Sequence, residues 1–289
     1  MKTKLIALIV IQLLLASSIS AQQGKVFETR TVKSSILGMD RNYSIYLPAG
    51  YDETDISYPV LYLLHGSGDD QTGWVQFGQV QHIADKVIAE GLASPMIIVM
   101  PDANTKQRGY FNQMDGSFNY EDFFFKELIP HIEKTYRVRT ERRYRAISGL
   151  SMGGGGTLFY SLHHPEMFAA AAPLSASTGN WDLQQAMSRV DLTKISAQKA
   201  EEYLKQQSVE SLLKGAPKEK LDLIKGIRWY ISCGDEDFLS EGNSLLHIQF
   251  LKNNVPHEYR VKDGGHTWTY WRMELPIVME FVSKSFTQF

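Results

Sequence analysis

Short, continuous apolar runs recur along the chain, each closed by turn residues: PVLYLLHG, PMIIVMPDA, RYRAISG, FAAAAPLSAS and IRWYISCGD. Runs of this length without alternation suit parallel strands buried on both faces. Before them the chain is also β-like, with KVFETRTV and then RNYSIYLP, in which Tyr43, Ile45 and Leu47 alternate with polar residues. HEYRV, late in the chain, reads as one more strand.

Helical rhythm separates these runs. Between Asp122 and Tyr136, the residues Phe124, Phe125, Leu128, Ile129, Ile132 and Tyr136 follow an i, i+4 spacing, and Pro130 inside it predicts a bend. Leu275, Val278, Met279, Val282 and Phe286 predict a helix at the C-terminal end. Strands alternating with helices predict a layered α/β sheet. From about 182 to 225 the chain is polar and helix-prone (AQKAEEYLKQQ, VESLLKG, EKLDLIKG), with no strand-like run. That stretch is expected to be a helical insertion over the sheet, so that 22–289 forms a single domain.

Composition narrows the function. With 43% hydrophobic and 21% charged residues in 289, the chain is an ordinary globular one, large enough for a substantial core. A net charge of −2 and the lack of any Lys/Arg-rich run argue against a nucleic-acid partner. The N-terminus differs from the rest. Lys2 and Lys4 precede the apolar run Leu5–Ala16, and SSISAQQ follows. This layout predicts a secretory signal peptide over 1–21, cleaved after Ala21. The run is too short to span a bilayer, which takes about 20 apolar residues, so no stable membrane insertion is expected. Cys233 is the one cysteine and sits in WYISCG, as a small buried hydrophobe would.

The candidate chemistry centres on GLSMGGGG, Gly149–Gly156. A phosphate loop would need Lys after the glycines, and Thr157 stands there instead. The pattern that fits is G-x-S-x-G, with Ser151 on a tight turn between the strand RYRAIS and the helix GGTLFYSLHH. Gly149 and Gly153 serve the turn, and Gly154 close helix packing. Gly155 and Gly156 are expected to leave space beside the serine.

A serine hydroxyl needs a base and an oriented partner. Where such a turn carries the nucleophile, the chain order is serine, acid, histidine. His163 and His164 fall in the following helix and are expected to point outward; His247 lies in another helical run and His257 opens a strand. His266 sits in KDGGHTWTYW, on a loop between the last strand and the last helix, and is the expected general base. The acid should follow IRWYISC, where Asp235, Glu236 and Asp237 are not separated by spacing. Two aimed N–H groups would hold an oxyanion. One is that of Met152; the other comes from LLHGSGDDQTGW, at Ser67 or Gly68. No cluster has metal-ligand spacing, so neither a metal nor another cofactor is implied.

Together LLHGSGDDQTGW, VMPDA, DGSFNYEDFFFKELIPHIEKTYRV, RAISGLSMGG, CGDEDFL and GGHTWTYW resemble the esterase D-like branch of the α/β-hydrolases. That branch includes the feruloyl and acetyl-xylan esterases of carbohydrate esterase family 1. The resemblance runs from Tyr58 to Trp271. It implies the α/β-hydrolase fold, Asp237 as the acid and Ser67 as the second oxyanion donor. With an exported chain, it further implies release of feruloyl or acetyl groups from plant polysaccharide, an acylated polysaccharide or oligosaccharide being the partner. Trp74, Trp181 and Trp268 are candidates to stack on such a substrate, whereas Trp271 is expected to anchor the last helix. Hydrolysis of a siderophore or other small ester is the alternative within the class. A non-catalytic polysaccharide-binding protein is the alternative outside it.

Overall fold

The computed structural model describes residues 23–104, 109–179 and 183–287. The leader expected over 1–21 and the candidate Trp181 lie outside the described residues. Within them, eight strands form one sheet. They are β1 (Lys25–Ser34), β2 (Met39–Leu47), β3 (Val60–Leu64), β4 (Ile97–Pro101), β5 (Arg145–Leu150), β6 (Ala170–Leu174), β7 (Arg228–Gly234) and β8 (Glu258–Lys262). Their spatial order is β1-β2-β4-β3-β5-β6-β7-β8. From β4 to β8 every pairing is parallel, while β2 runs antiparallel to both β1 and β4.

The apolar runs become strands because both sheet faces are covered. Along β3, Val60, Tyr62 and Leu64 enter one core while Leu61 and Leu63 enter the other. All five are fully buried, and such burial contributes roughly 1.5–3 kcal/mol for each large apolar side chain.

The helices are α1 (Gly73–Gln76), α2 (Val80–Ala89), α3 (Tyr120–Phe123), α4 (Ile129–Thr135), α5 (Met152–His163), α6 (Leu183–Met187), α7 (Ala197–Gln206), α8 (Val209–Lys214), α9 (Lys218–Lys225), α10 (Ser240–Lys252) and α11 (Trp268–Thr287). Val80, Ala84 and Val87 of α2 join Leu275, Val278, Met279 and Val282 of α11 in one core. Leu158, Phe159 and Leu162 of α5 join Leu246 and Phe250 of α10 in the other. The stretch predicted as one bent helix is α3, a π-helical turn over Phe124–Leu128, and α4. Pro130 stands just after that wide turn, where its ring would meet the carbonyl four residues back in a regular helix.

Between β6 and β7 the insertion consists of α6 to α9, with no strand among its described residues. Val209, Leu213 and Ile224 pin it to the α5–α10 core. Among the described residues no helix is long and apolar enough to cross a membrane. The strand order reverses at β3, which pairs with β4 on one side and β5 on the other. Such a reversal opens a crevice at the carboxyl ends of the strands. The loops after β3 and β5, carrying Ser67 and Ser151, lead out there.

Candidate active site

Ser151 occupies the single-residue turn between β5 and α5, with φ 56° and ψ −115°. A non-glycine residue with positive φ is uncommon, and it persists only where its surroundings hold it. Here the backbone is bonded on both sides. Ser151 N–H donates to Leu174 O at 3.0 Å, and Ser151 O accepts from Gly155 N–H at 2.9 Å and Ser177 N–H at 3.1 Å.

The glycines let α5 start against the strand ends. A Cβ at Gly153 would lie 2.6 Å from Leu64 O, one at Gly154 2.5 Å from Leu174 O, and one at Gly155 2.7 Å from Ser177 O. At Gly156 it would come 3.0 Å from the Tyr110 ring. The space expected beside the serine is therefore absent: the backbone of Ser177 and the ring of Tyr110 fill it.

The structure brings Ser151, His266 and Asp237 together. His266 Nε2 lies 2.9 Å from Ser151 Oγ, and His266 Nδ1 lies 2.8 Å from Asp237 Oδ2 and 3.0 Å from Oδ1. An ionised carboxylate only accepts, so Nδ1 carries the proton and Nε2 is free to accept from the serine hydroxyl. Asp237 is 2% exposed. Burial would raise its pKa; hydrogen bonds from His266, Leu239 N–H and the Ser175 hydroxyl outweigh burial and hold the carboxyl below its ordinary value.

Its two neighbours are exposed and do other work. Asp235 Oδ1 accepts from Gly264 N–H at 3.1 Å, and Glu236 N–H donates to Gly264 O at 3.1 Å, which ties the loop after β7 to the loop carrying His266.

Met152 is the first residue of α5, so its N–H has no partner within the helix. Ser67 is exposed in the loop after β3. That loop reaches Ser151: a Cβ on Gly66 would lie 3.5 Å from Ser151 Cβ. His65 in the same loop is buried, its Nδ1–H donating to Gly66 O at 2.7 Å and its Nε2 accepting from Ala103 N–H at 2.9 Å. Both ring nitrogens are used in bracing the loop.

The aromatic candidates separate by burial. Trp74 is fully buried, donates Nε1–H to Leu64 O at 2.9 Å and meets Trp268 edge-on. It has no face for a substrate, which corrects the sequence-based assignment. Trp268 keeps a partly open surface, packed between Trp74, Phe77 and Trp271. Trp271 is buried, sits edge-on to His266 at 4.9 Å and donates Nε1–H to Ser175 Oγ at 3.1 Å.

Two residues next to the triad carry no sequence signal. Ser175, fully buried at φ 44°, accepts from Trp271 Nε1–H and helps hold the Asp237 carboxyl below its ordinary value. Phe238 is 75% exposed, with its ring centre 4.4 Å from that of His266.

His163 and His164 do not point outward. Their Nδ1 and Nε2 atoms, respectively, lie 2.8 and 3.0 Å from Glu121 Oε1, and His163 Nε2 lies 2.7 Å from Gln206 O. His163 thus faces two acceptors, a carboxylate and a carbonyl, and meets both only as the imidazolium. Burial works against both charges, yet the mutual hydrogen bonds prevail: Glu121 drops to about 2 and His163 rises above its ordinary value. This cluster joins α3, α5 and α7. His247 and His257 bond each other at 2.7 Å. Burial and neighbouring Asp237 push the Cys233 thiol up to about 12. Among the described residues no group of three or more His, Cys, Asp and Glu is arranged to hold a metal ion.

The family model Esterase matches residues 34–280. A solved ferulic acid esterase superposes with a TM-score of 0.80 at 35% identity, covering 91% of this chain and 99% of its own. The "Endo-1,4-beta-xylanase/feruloyl esterase" of Xylanibacter ruminicola is 37% identical over 155 residues, 51% of this chain but only 21% of that protein. The "Acetyl esterase" of Caldicellulosiruptor saccharolyticus is 24% identical over 235 residues, 78% of this chain and 83% of the relative. The architecture the chain shares with that solved esterase is the α/β-hydrolase fold, a mostly parallel sheet flanked by helices.

Proposed function

The chain belongs to the Esterase family, and from that premise we propose that it is an exported serine carboxylic-ester hydrolase that removes feruloyl or acetyl groups from plant cell-wall polysaccharide such as xylan. The observation that carries this reading is the continuous hydrogen-bonded line from Ser151 Oγ through His266 to the buried Asp237.

In the proposed reaction His266 Nε2 takes the proton of Ser151, and Oγ attacks the ester carbonyl. The carbonyl oxygen gains the negative charge and faces the N–H groups of Met152 and Ser67. Asp237 holds the tautomer and balances the imidazolium. Collapse breaks the bond to the alcohol, which leaves with the proton from His266. A water then gives a proton to the same nitrogen and attacks the acyl-serine, releasing the acid and restoring Ser151.

The names of similar proteins favour feruloyl and acetyl esters as the acyl groups. The charged and apolar N-terminal stretch, with its proposed cleavage after Ala21, favours export. No cofactor is required by this chemistry.

The test is hydrolysis of methyl ferulate and of acetylated xylan by the purified protein, with a fluorophosphonate as a stoichiometric label. Labelling at Ser151 with turnover of either ester supports the reading. Turnover that persists undiminished in folded Ser151→Ala, or a protein that neither labels nor hydrolyses, overturns it.

A further inference from the structure

We propose that Phe238 is the platform for the alcohol side of the substrate, stacking on the sugar ring that carries the ester; this deepens the esterase reading and rests on it. Three observations converge on the residue. Phe238 is the most exposed large apolar side chain among the described residues, at 75%. Scattered exposed apolar residues are common on protein surfaces, but this one lies against His266, with ring centres 4.4 Å apart and planes tilted by 49°.

Its backbone is fixed by the acid itself. Leu239 N–H donates to Asp237 Oδ1 at 2.8 Å, and Ser240 N–H donates to Asp237 O at 2.9 Å, so Phe238 is clasped in a turn anchored on a buried carboxylate. An aromatic ring held in this way loses little freedom when a ligand covers it.

The chemistry decides which half of the ester meets the ring. The imidazole that receives the serine proton must return it to the departing alkoxide, so the alcohol oxygen sits beside His266 Nε2. The acyl carbonyl is drawn instead toward the start of α5 and the loop after β3. A ring resting on the imidazole therefore borders the alcohol. In a polysaccharide ester that alcohol is a sugar, whose C–H face packs on an aromatic face. Phe238 is thus set apart from the other ring against His266, Trp271, which is buried and has no face open to a ligand.

The experiment compares a feruloylated oligosaccharide with methyl ferulate, which has no sugar. In Phe238→Ala the ratio of kcat/KM for the oligosaccharide ester to that for methyl ferulate should fall about three- to tenfold, the size of one aromatic contact, and Phe238→Trp should restore it. An unchanged ratio overturns the proposal, including the case in which both substrates lose equally because the ring merely shields His266. Binding of the oligosaccharide ester to Ser151→Ala, with and without Phe238→Ala, reads the same contact without turnover. Weaker binding of the double variant supports the platform, and equal binding removes it. Turnover of methyl ferulate by the unaltered enzyme tests the esterase reading separately.

Discussion

Trp271 donates its indole N–H to the Oγ of Ser175, 3.1 Å away and fully buried. Ser175 is among the groups that hold the Asp237 carboxyl below its ordinary value, so the last helix braces the acid through the serine that follows β6. Ser175 adopts φ 44°, a conformation glycine takes without strain. Ser175→Ala and Ser175→Gly both remove the hydroxyl, but only glycine relieves the backbone. Both should lose about tenfold in kcat on an aryl ester, the scale of one hydrogen bond to a charged group, with Ser175→Gly the more stable of the two by thermal melting. Full kcat in Ser175→Ala would show that the hydroxyl does not position Asp237.

Three carboxylates crowd the turn after β7, and one of them orients the imidazole. Asp237→Asn can turn an N–H toward His266 Nδ1 and impose the opposite tautomer, so kcat should fall about 10⁴-fold. Asp235→Asn keeps an acceptor for Gly264 N–H and should stay within about threefold of the parent, as expected for a surface change of this kind. Single-turnover and steady-state rates on the same aryl ester measure both. A small effect at Asp237 together with a large one at Asp235 would reverse the assignment.

Helix propensity and close packing predict opposite signs at Gly155. In an open helix, Gly→Ala stabilises by about 1 kcal/mol. Here the new Cβ would lie 2.7 Å from Ser177 O, and Ser177 N–H is one of the groups fixing Ser151. Gly155→Ala should instead destabilise by about 1–3 kcal/mol and lower kcat as the serine turn shifts. Urea unfolding gives the sign directly.

Glu121 and His163 predict a pH dependence of stability remote from the reacting atoms. Glu121 is depressed from 4.5 to about 2, so its contribution is present above pH 4.5 and fades as pH falls toward 2. His163 is raised from 6.5, so its contribution is complete below pH 6.5 and fades as pH rises through its folded value. The cluster should therefore stabilise the fold most between about pH 4.5 and 6.5. The melting-temperature gap between the parent and Glu121→Gln should be widest in that window and should narrow on either side. A gap constant with pH would rule out the titration.

Much of this molecule is legible in the sequence because its parallel strands are buried on both faces, and continuous apolar runs such as VLYLL have few other uses. Ser151 and His266 are legible because their turns need glycines at fixed places. Chemistry and spacing do not separate Asp235, Glu236 and Asp237; the resemblance singles out Asp237, and the fold buries it while exposing the others. Trp74 and Trp268 look equivalent as loop tryptophans until Leu64 O takes the Trp74 N–H. His163 and His164 seem to face solvent because nothing local reveals Glu121, more than forty residues earlier, folding over them. The π-helical turn before Pro130 and the exposed Phe238 leave no periodic trace at all.

Ser151, Asp237 and His266 stand on loops after β5, β7 and β8, and the turn at Ser151 is bonded to the end of β6. No local segment can assemble this arrangement. Four neighbouring parallel strands, drawn from Arg145 to Lys262, must be aligned before the serine meets its base, and contacts so distant in sequence form slowly. During refolding, helical content should return before ester turnover does, which makes the protein its own gauge of when the sheet has closed.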